Sequence, residues 1–415
     1  MSSVDVFRVQ RRTLSLLFVT QIVGGVGVAM GIAVGALLAA AMGGTGVSGL
    51  ASSASVVGGA LLAVPATRLI RSRGRRPGLV FAYACGVAGA LVVVAAAISD
   101  SMVVLFAGMA LFGGGTAANL QARYAAVDLA DTARRARQLS LIVWATTLGS
   151  VAGPNLAPLA DRYAHRSGLP GYTGPFVVSA VAFAVAALAI AVVLRPDPLL
   201  VARGLGQPGS PVPAAGLREA VRAIRAVPAA RLGMSAVAVG HLVMVGVMSM
   251  TPVHIGGYEH GDVLRVVGVV LSVHIGGMYA LSPIVGWLTD RFGRRPVILG
   301  GLATLLAACA VAGTAGHHTP RLSLGLALLG MGWSGTMVAG STLLSESVGT
   351  LIRPAVQGLS DLVMGLAGAF AGAVSGLVVS WSGYPTLTLL AAIATVPLVA
   401  LALRPMPVLA ISEGS

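Results

Sequence analysis

The chain has 415 residues, of which 56% are hydrophobic and 10% are charged, and its formal net charge at pH 7 is +14. Soluble globular domains contain roughly 45–50% apolar and about 25% charged residues, so this composition excludes that class. A strong positive charge can indicate a nucleic-acid partner. Whether it does so here depends on where the basic residues lie along the chain.

Long apolar segments follow one another along the whole chain. A helix needs about 20 apolar residues to cross the hydrocarbon core of a bilayer, whereas barrel strands alternate over about ten. The sequence therefore predicts an all-α membrane protein with twelve transmembrane helices. The segments lie near 14–41, 47–67, 78–98, 102–122, 139–159, 174–194, 232–252, 266–288, 297–315, 322–343, 356–380 and 384–403.

A polar linker divides the chain into two halves. We predict an N-terminal six-helix bundle (1–197), a cytoplasmic linker (198–230) and a C-terminal six-helix bundle (231–415). The second part of the linker has apolar residues at helical spacing, with arginines on another face. This basic amphipathic helix either lies on anionic lipid headgroups of the inner leaflet or is a solvated connection between the bundles.

The arginines, which account for all 27 basic residues, lie mostly on one side of the predicted topology. If the N-terminus is cytoplasmic, only Arg162, Arg166, Arg265 and Arg321 fall outside. Cytoplasmic loops of membrane proteins carry an excess of basic residues, so the charge is a topology signal and argues against a nucleic-acid partner. We predict a multi-pass protein of the cell inner membrane with both termini in the cytoplasm.

The sequence contains no phosphate-binding loop, nucleophile elbow or zinc-ligand pair. We therefore expect neither an enzyme nor a bound cofactor or metal, and hydrolysis of ATP by this chain is not expected to supply energy. We expect a monomer whose partners are a small-molecule substrate, protons and the lipids of the bilayer.

One loop sequence occurs twice. The segment Gly286–Pro296 reads GWLTDRFGRRP, and its last four letters also stand at Gly74–Pro77. Each copy follows an apolar segment and precedes the next. The string GxLxDRxGRRP resembles the signature loop of the major facilitator superfamily of secondary transporters. The resemblance implies two bundles related by a pseudo-two-fold axis along the membrane normal, with 67–77 and 286–296 as equivalent loops.

In that family the loop is understood to hold the two halves together on the cytoplasmic side in the outward-open state. By internal symmetry, the carboxylate of Asp290 would then meet the N-terminal end of the fifth helix. The first copy departs from the pattern, because Thr67 and Arg71 replace the leading glycine and the aspartate. The predicted conformational latch consists of Gly286, Asp290, Arg291, Gly293, Arg294 and Arg295, with Gly74, Arg75 and Arg76 of the first copy.

A second resemblance lies in the fifth segment. The string Gly149-Ser-Val-Ala-Gly153-Pro154 matches the GxxxGP pattern that this superfamily associates with drug/proton antiporters. The two glycines allow close helix approach, and the proline removes one helical hydrogen bond and permits a bend. The family's arginine in the fourth helix is replaced by Ala110, so the coupling residues must lie elsewhere.

Only three ionisable side chains fall clearly within the apolar segments: His241, His274 and Asp361. A charged group at mid-depth costs roughly 2.5–3.5 kcal/mol on insertion scales, so such residues are candidates for function, here proton coupling. Each histidine could instead be a hydrogen-bonding packing group. Asp361 could cap its helix or pair with Arg353.

The polar, aromatic and methionine residues inside the segments are few. Because no basic residue is predicted at depth, they fit an amphipathic organic molecule better than a phosphate or a sugar. We predict export of such compounds in exchange for protons. The alternatives are a proton-coupled metabolite importer and a non-transporting membrane sensor or lipid-handling protein. The cavity candidates, of which the aromatic ones could also be packing residues, are Gln21, Asn119, Gln121, Trp144, Asn155, Tyr279, Trp333 and Met364.

Overall fold

The computed structural model describes residues 3–126, 128–130, 135–204, 217–259, 261–349 and 352–404, which are helical almost throughout and contain no strand. The helices are α1 (Ser3–Gly43), α2 (Thr45–Arg73), α3 (Arg75–Ile98), α4 (Met102–Ala125), α5 (Arg135–Arg166), α6 (Gly174–Val193), α7 (Pro198–Gly204), α8 (Leu217–Ala226), α9 (Pro228–Gly256), α10 (Val263–Tyr279), α11 (Ser282–Phe292), α12 (Arg294–Gly313), α13 (Thr319–Glu346), α14 (Arg353–Ile393) and α15 (Val396–Leu403).

These helices make twelve membrane crossings. Ten helical segments of the described residues are long and apolar enough to span a bilayer, and one of them, Ala355–Leu403, contains two crossings. Gly383, with φ of 79°, breaks α14 between them. The remaining crossing is α5, which carries polar residues and two internal prolines but packs between α1 and α10. Helices α10 and α11 together form the eighth crossing. The predicted all-α fold with twelve transmembrane helices is confirmed.

Small residues set the distances between helices within each bundle. In the N-terminal bundle a Cβ on Gly58 of α2 would collide with the backbone of Ala110 in α4. In the C-terminal bundle a Cβ on Gly301 of α12 would lie 2.9 Å from the backbone nitrogen of Thr336 in α13. Helices in a bilayer gain stability from van der Waals packing, so such close approach holds each bundle together.

The two bundles contact each other near one face of the molecule. We call the face with the loops around Gly74 and Gly293 the arginine-rich face, and the other the opposite face. Helix α2 packs on α14, α5 on α10 and α1 on α9, and the residues that touch lie in the half towards the opposite face. The cavity between the bundles therefore opens at the arginine-rich face, and this open end is the cavity mouth.

The amphipathic linker helix α8 packs against the C-terminal bundle. Its Ala220 and Ile224 are buried together with Met234 of α9, Leu344 of α13 and Val356 of α14. The three arginines of α8 are exposed on its other side. The apolar face therefore contacts protein rather than acyl chains, and contact of the arginines with lipid headgroups stays a prediction.

Candidate functional site

Three side chains from three helices form a polar aromatic cluster in the C-terminal bundle. The indole N–H of Trp333 in α13 donates to Nδ1 of His241 in α9 over 3.2 Å. The ring of Tyr279 in α10 meets that of Trp333 edge-on, with centroids 6.0 Å apart. A Cβ on Gly368 of α14 would lie 3.0 Å from Nε2 of His241, so a fourth helix closes over the imidazole. We call His241, Tyr279 and Trp333 the cavity cluster.

Asp361 lies on α14 two turns from Gly368, towards the cavity mouth, and its side chain is exposed. Among the described residues it forms no ion pair, and no side chain caps the start of α14. Arg353 forms no ion pair with Asp361, and its Nε is buried without a hydrogen-bond partner among the described residues. The carboxyl is therefore free to face the cavity. Met364 is half-buried one turn further along the same helix.

Arg123 is a basic side chain in the last turn of α4, at the end of that helix towards the arginine-rich face. The apolar segment ends at residue 122, but α4 continues to Ala125 and includes this arginine. The side chain of Arg123 is half-buried, and it forms no ion pair among the described residues. Arg123 lies in the last turn of α4 and not at depth, so the expectation that no basic residue lies at depth stays a prediction. The helix continues because the loop end of a membrane helix tolerates a long basic side chain.

His274 lies away from the cavity cluster. It is fully buried between α10 and α13, and its Nδ1 donates to the carbonyl oxygen of Leu326 over 2.8 Å. Its Nε2 has no hydrogen-bond partner among the described residues. This geometry is typical of a histidine that holds two helices together, so it favours the packing alternative over a coupling role.

Gln21 and Asn119 belong to a buried network in the N-terminal bundle. Nε2 of Gln21 donates to the carbonyl oxygen of Asn119 and to Oγ1 of Thr146, each over 3.1 Å. The hydroxyl of Tyr83 donates to Oδ1 of Asn119 over 2.7 Å. The network joins α1, α3, α4 and α5. Because both predicted cavity residues are buried and bonded within the bundle, they do not line the open cavity.

The other polar candidates lie in separate places. Nε2 of Gln121 donates to Oγ1 of Thr67 over 3.3 Å, within the N-terminal bundle. Trp144 is 57% exposed and stacks on Phe18. Nδ2 of Asn155 donates to Ser272 of α10 over 2.5 Å, which is a hydrogen bond between the two bundles. The structure therefore does not bring the eight predicted cavity residues together in one site.

The GxxxGP segment lies at two helix interfaces. A Cβ on Gly149 would collide with the backbone of α1 at Ile22, and one on Gly153 would lie 2.8 Å from the carbonyl oxygen of Val26. Pro154 faces the other bundle, since a Cβ on Gly268 of α10 would lie 2.9 Å from its carbonyl oxygen. The motif thus connects α5 to α1 and extends to the contact between the bundles.

The two arginine loops have the same backbone and the same kind of ion pair. Gly74 and Gly293 have φ of 97° and 91°, a conformation that glycine adopts without strain. Arg75 donates two hydrogen bonds to Asp128, both 2.8 Å. Arg294 donates two to Glu346, of 2.9 and 2.6 Å. Each loop is therefore fastened to the end of α4 or α13 in its own bundle.

The next arginines complete this symmetry. The backbone N–H of Arg76 donates to Oδ2 of Asp197 over 2.8 Å, and Nε of Arg295 donates to the carbonyl oxygen of Ala402. Both acceptors follow or lie in the last crossing of their bundle. Burial raises the pKa of the Asp128 carboxyl, while its hydrogen bond to Arg75 opposes that change. The first copy, which lacks the aspartate at 71, takes its acids from Asp128 and Asp197 instead.

Asp290 contacts only its own loop in this structure. Its side chain is 78% exposed, and its carboxylate lies 3.7 Å from Arg294. The guanidinium of Arg291 lies over the rings of Trp287 and Phe292, 5.4 and 5.8 Å from their centroids. The predicted contact between Asp290 and α5 is absent among the described residues. We expect that contact only in a state closed at the arginine-rich face, so the latch stays a prediction.

Comparisons with known proteins agree with this architecture. The model of the Major Facilitator Superfamily matches residues 16–264 and 257–412. The uncharacterized MFS-type transporters YdeG and YddS of Bacillus subtilis are 38% and 37% identical, over 94% of this chain and 90% and 89% of theirs. The riboflavin transporter RfnT of Brucella anthropi is 26% identical, over 84% of this chain and 83% of its own.

Solved structures share the fold at low sequence identity. An inward-facing, occupied bacterial homolog of the human lysosomal transporter Spinster has a TM-score of 0.71 and 14% identity, covering 94% of this chain and 95% of that one. The D-xylose-proton symporter has a TM-score of 0.69 and 15% identity, covering 94% and 98%. The resemblance seen in the loop sequence is confirmed. The chain belongs to the Major Facilitator Superfamily and is a multi-pass membrane transporter, not an enzyme.

Proposed function

We propose that this transporter exports small amphipathic organic compounds from the cytoplasm in exchange for protons, by alternating access. The observation that carries the proposal is the cavity cluster of His241, Tyr279 and Trp333, together with the unpaired carboxyl of Asp361 two helical turns nearer the cavity mouth on α14. Aromatic faces give an apolar solute contact area, and a carboxylate gives it one polar or cationic contact.

The same groups offer a route to proton coupling. Exchange needs a group that is charged in one state and neutral in the other, and Asp361 is the acid on the cavity side of a crossing. His241 accepts a hydrogen bond from Trp333 at Nδ1, so its neutral ring carries the proton at Nε2. Proton uptake at Nδ1 would break that bond. Binding a proton and rearranging the cluster are thereby linked.

Import of a metabolite is the second candidate function. A relative named as a riboflavin transporter aligns over 84% of this chain, and riboflavin is itself a planar amphipathic molecule. The cavity cluster suits such a ring as well as it suits a foreign compound. The direction of transport therefore has to be measured.

Transport in proteoliposomes under an imposed pH gradient tests both candidates. We would screen a panel of aromatic organic cations, neutral aromatic compounds and riboflavin, with Asp361→Asn as the matched control. Export predicts accumulation of a compound on the side with the higher proton concentration. Accumulation on the side with the lower proton concentration would support proton-coupled import, and no gradient-dependent movement would contradict both.

A further inference from the structure

An open apolar groove of about 370 Å³ lies on the N-terminal bundle at the opposite face. Leu156, Leu159 and Tyr163 line it from α5, and Val177 and Val178 line it from α6. We call it the α5–α6 groove. All of its lining residues belong to the N-terminal bundle, so it is separate from the cavity between the two bundles.

The short loop between α5 and α6 gives the groove a fixed shape. The backbone N–H of Leu169 donates to the carbonyl oxygen of Ala164 over 3.1 Å, after a turn at Gly168 with φ of 80°. A Cβ on Gly174, at the start of α6, would collide with the backbone of Ala160. The loop and both helix ends are therefore held together, and the groove is formed before any ligand binds.

Two arginines without acidic partners lie beside the groove. Arg162 and Arg166 are exposed one turn apart on α5, and neither forms an ion pair among the described residues. The guanidinium of Arg166 lies 5.9 Å from the ring centroid of Tyr163, which lines the groove. Both belong to the four arginines predicted outside the cytoplasmic side, so the rule that explains the other 23 does not explain them.

The order of these groups along α5 matches that of a phospholipid. Leu156 and Leu159 lie at the end of the predicted apolar segment 139–159, and Arg166 follows about 10 Å further along the helix. The leucines can contact an acyl chain, and a guanidinium can give a phosphate two parallel hydrogen bonds. Tyrosine, as at position 163, is enriched where a bilayer meets water.

We propose that the α5–α6 groove binds an anionic phospholipid from the leaflet at the opposite face, with an acyl chain between the two helices and its phosphate at Arg166. A second copy of the chain suits the groove less well. In a two-fold symmetric dimer through this surface, the unpaired arginines of both copies would approach each other. The proposal does not depend on the transported compound or on the direction of transport.

Tryptophan quenching by brominated lipids tests this site in a bilayer. Leu159→Trp places a fluorophore in the groove, and Val185→Trp is the matched control, because Val185 is exposed on α6 two turns from Val178 and outside the groove. Vesicles contain phosphatidylcholine and phosphatidylglycerol, and either lipid carries the brominated chains. In both variants phenylalanine replaces the native tryptophans, which are Trp144, Trp287, Trp333 and Trp381.

We expect phosphatidylglycerol to be preferred about fivefold or more over phosphatidylcholine at Leu159→Trp, since each basic residue near the surface contributes about that factor. At Val185→Trp the two lipids should quench equally. Adding Arg166→Ala should bring the preference at Leu159→Trp to within about twofold of none. Arg321→Ala is the control for charge, because Arg321 lies on the same face but donates to Thr314 over 2.8 Å.

Three results would overturn the proposal. Equal quenching by the two lipids at Leu159→Trp would mean that the groove does not distinguish headgroups. A preference that survives Arg166→Ala would remove the phosphate from that side chain. Absence of quenching by either lipid at Leu159→Trp, with normal quenching at Val185→Trp, would mean that protein rather than lipid covers the groove.

Discussion

At the scale of single residues, the hydrogen bond from Trp333 decides which nitrogen of His241 can take up a proton. An indole N–H only donates, so Nδ1 of His241 must be unprotonated while this bond exists. A side chain that does not ionise thus controls one that does. If protonation of His241 is coupled to transport, loss of the hydrogen bond from Trp333 should change the pH dependence of transport.

We predict that Trp333→Phe shifts the pH profile of transport to higher pH. The change removes the donor that favours the neutral imidazole, and a net hydrogen bond is worth about 0.5–1.5 kcal/mol, or up to about one pH unit. The profile is measured in proteoliposomes. Tyr279→Phe, which keeps the indole donor, is the control and should leave the midpoint in place. An unshifted midpoint in Trp333→Phe would remove His241 from the coupling scheme.

Asp361→Asn should abolish transport against a gradient while downhill exchange of substrate survives. The amide stays neutral in both access states, so it can bind substrate by hydrogen bonding but cannot carry a proton. Counterflow and pH-driven uptake are compared in the same vesicles. If the variant pumps as well as the parent protein, the proton is carried elsewhere.

The sequence identifies residues of the site by elimination, and its errors follow from three-dimensional partners. Asp361 and His241 are rare ionisable groups in apolar segments, which needs no structure to recognise. His274 satisfies the same rule but is bonded to Leu326 in a helix interface, and no sequence pattern contains that contact. Arg123 escapes the rule because hydropathy ends one residue before it, although the helix does not.

At the scale of helices, glycines form the contact that closes the opposite face. Gly49 of α2 lies against Gly372 of α14 so closely that a Cβ would collide with its carbonyl oxygen. The hydroxyl of Ser53 donates to the carbonyl oxygen of Ala369 over 2.7 Å in the same contact. The two helices touch there largely through their backbones.

Gly49→Ala should open the opposite face. The methyl group cannot fit beside Gly372 unless the helices separate, so the closed contact is destabilised relative to the alternative state. Ser53 lies in the same contact, so we expect an impermeant maleimide added at the opposite face to label a Ser53→Cys variant several-fold faster when Gly49→Ala is present. Gly276→Ala, whose Cβ would meet open space, is the control. An unchanged labelling rate in Gly49→Ala would mean that α2 and α14 accommodate the methyl group without opening the opposite face.

The two loop ion pairs should differ in their importance for stability. Arg75 and Asp128 are 14% and 9% exposed, whereas Arg294 and Glu346 are 29% and 51% exposed. Breaking a buried pair leaves an unpaired charge and costs about 3 kcal/mol or more, while an exposed pair contributes about 0–1 kcal/mol. Asp128→Ala should therefore lower the free energy of unfolding in detergent much more than Glu346→Ala. Equal losses of unfolding free energy would mean that the two loop ion pairs contribute equally to stability despite their different exposure.

Sequence patterns predict the crossings and the loops between them well, but they miss a break inside one crossing. Apolar length identifies the crossings, and the repeated glycine of the arginine loops corresponds to positive φ at Gly74 and Gly293. The break at Gly383 also falls in the predicted interval between the last two apolar segments, whereas the division of the eighth crossing into α10 and α11 is not predicted. That division leaves no distinct signal, because the apolar segment 266–288 runs through it without a gap.

At the scale of the whole molecule, the structure represents one of at least two states. It is closed at the opposite face and open at the arginine-rich face, so Asp290 is exposed here. The arginine distribution and the repeated loop predict the fold and its symmetry. They cannot predict which state is populated, since that depends on small energy differences between alternative contacts of the same helices.

Asp290→Asn should reduce transport several-fold while expression and membrane insertion stay normal. The exposed carboxylate adds little to the state seen here, so its loss acts on the state closed at the arginine-rich face. Turnover and cysteine labelling from both faces are the measurements. Unchanged turnover with unchanged labelling would limit Asp290 to setting topology.

The two short helices of the linker, α7 and α8, contact different bundles. Asp197, just before α7, accepts from the backbone of Arg76 in the N-terminal bundle, whereas α8 packs on the C-terminal bundle. Each short helix therefore travels with a different half, and only residues 205–216 join the two. Twelve residues can span at most about 40 Å. Either half can therefore rotate against the other without breaking the contacts that hold α7 and α8.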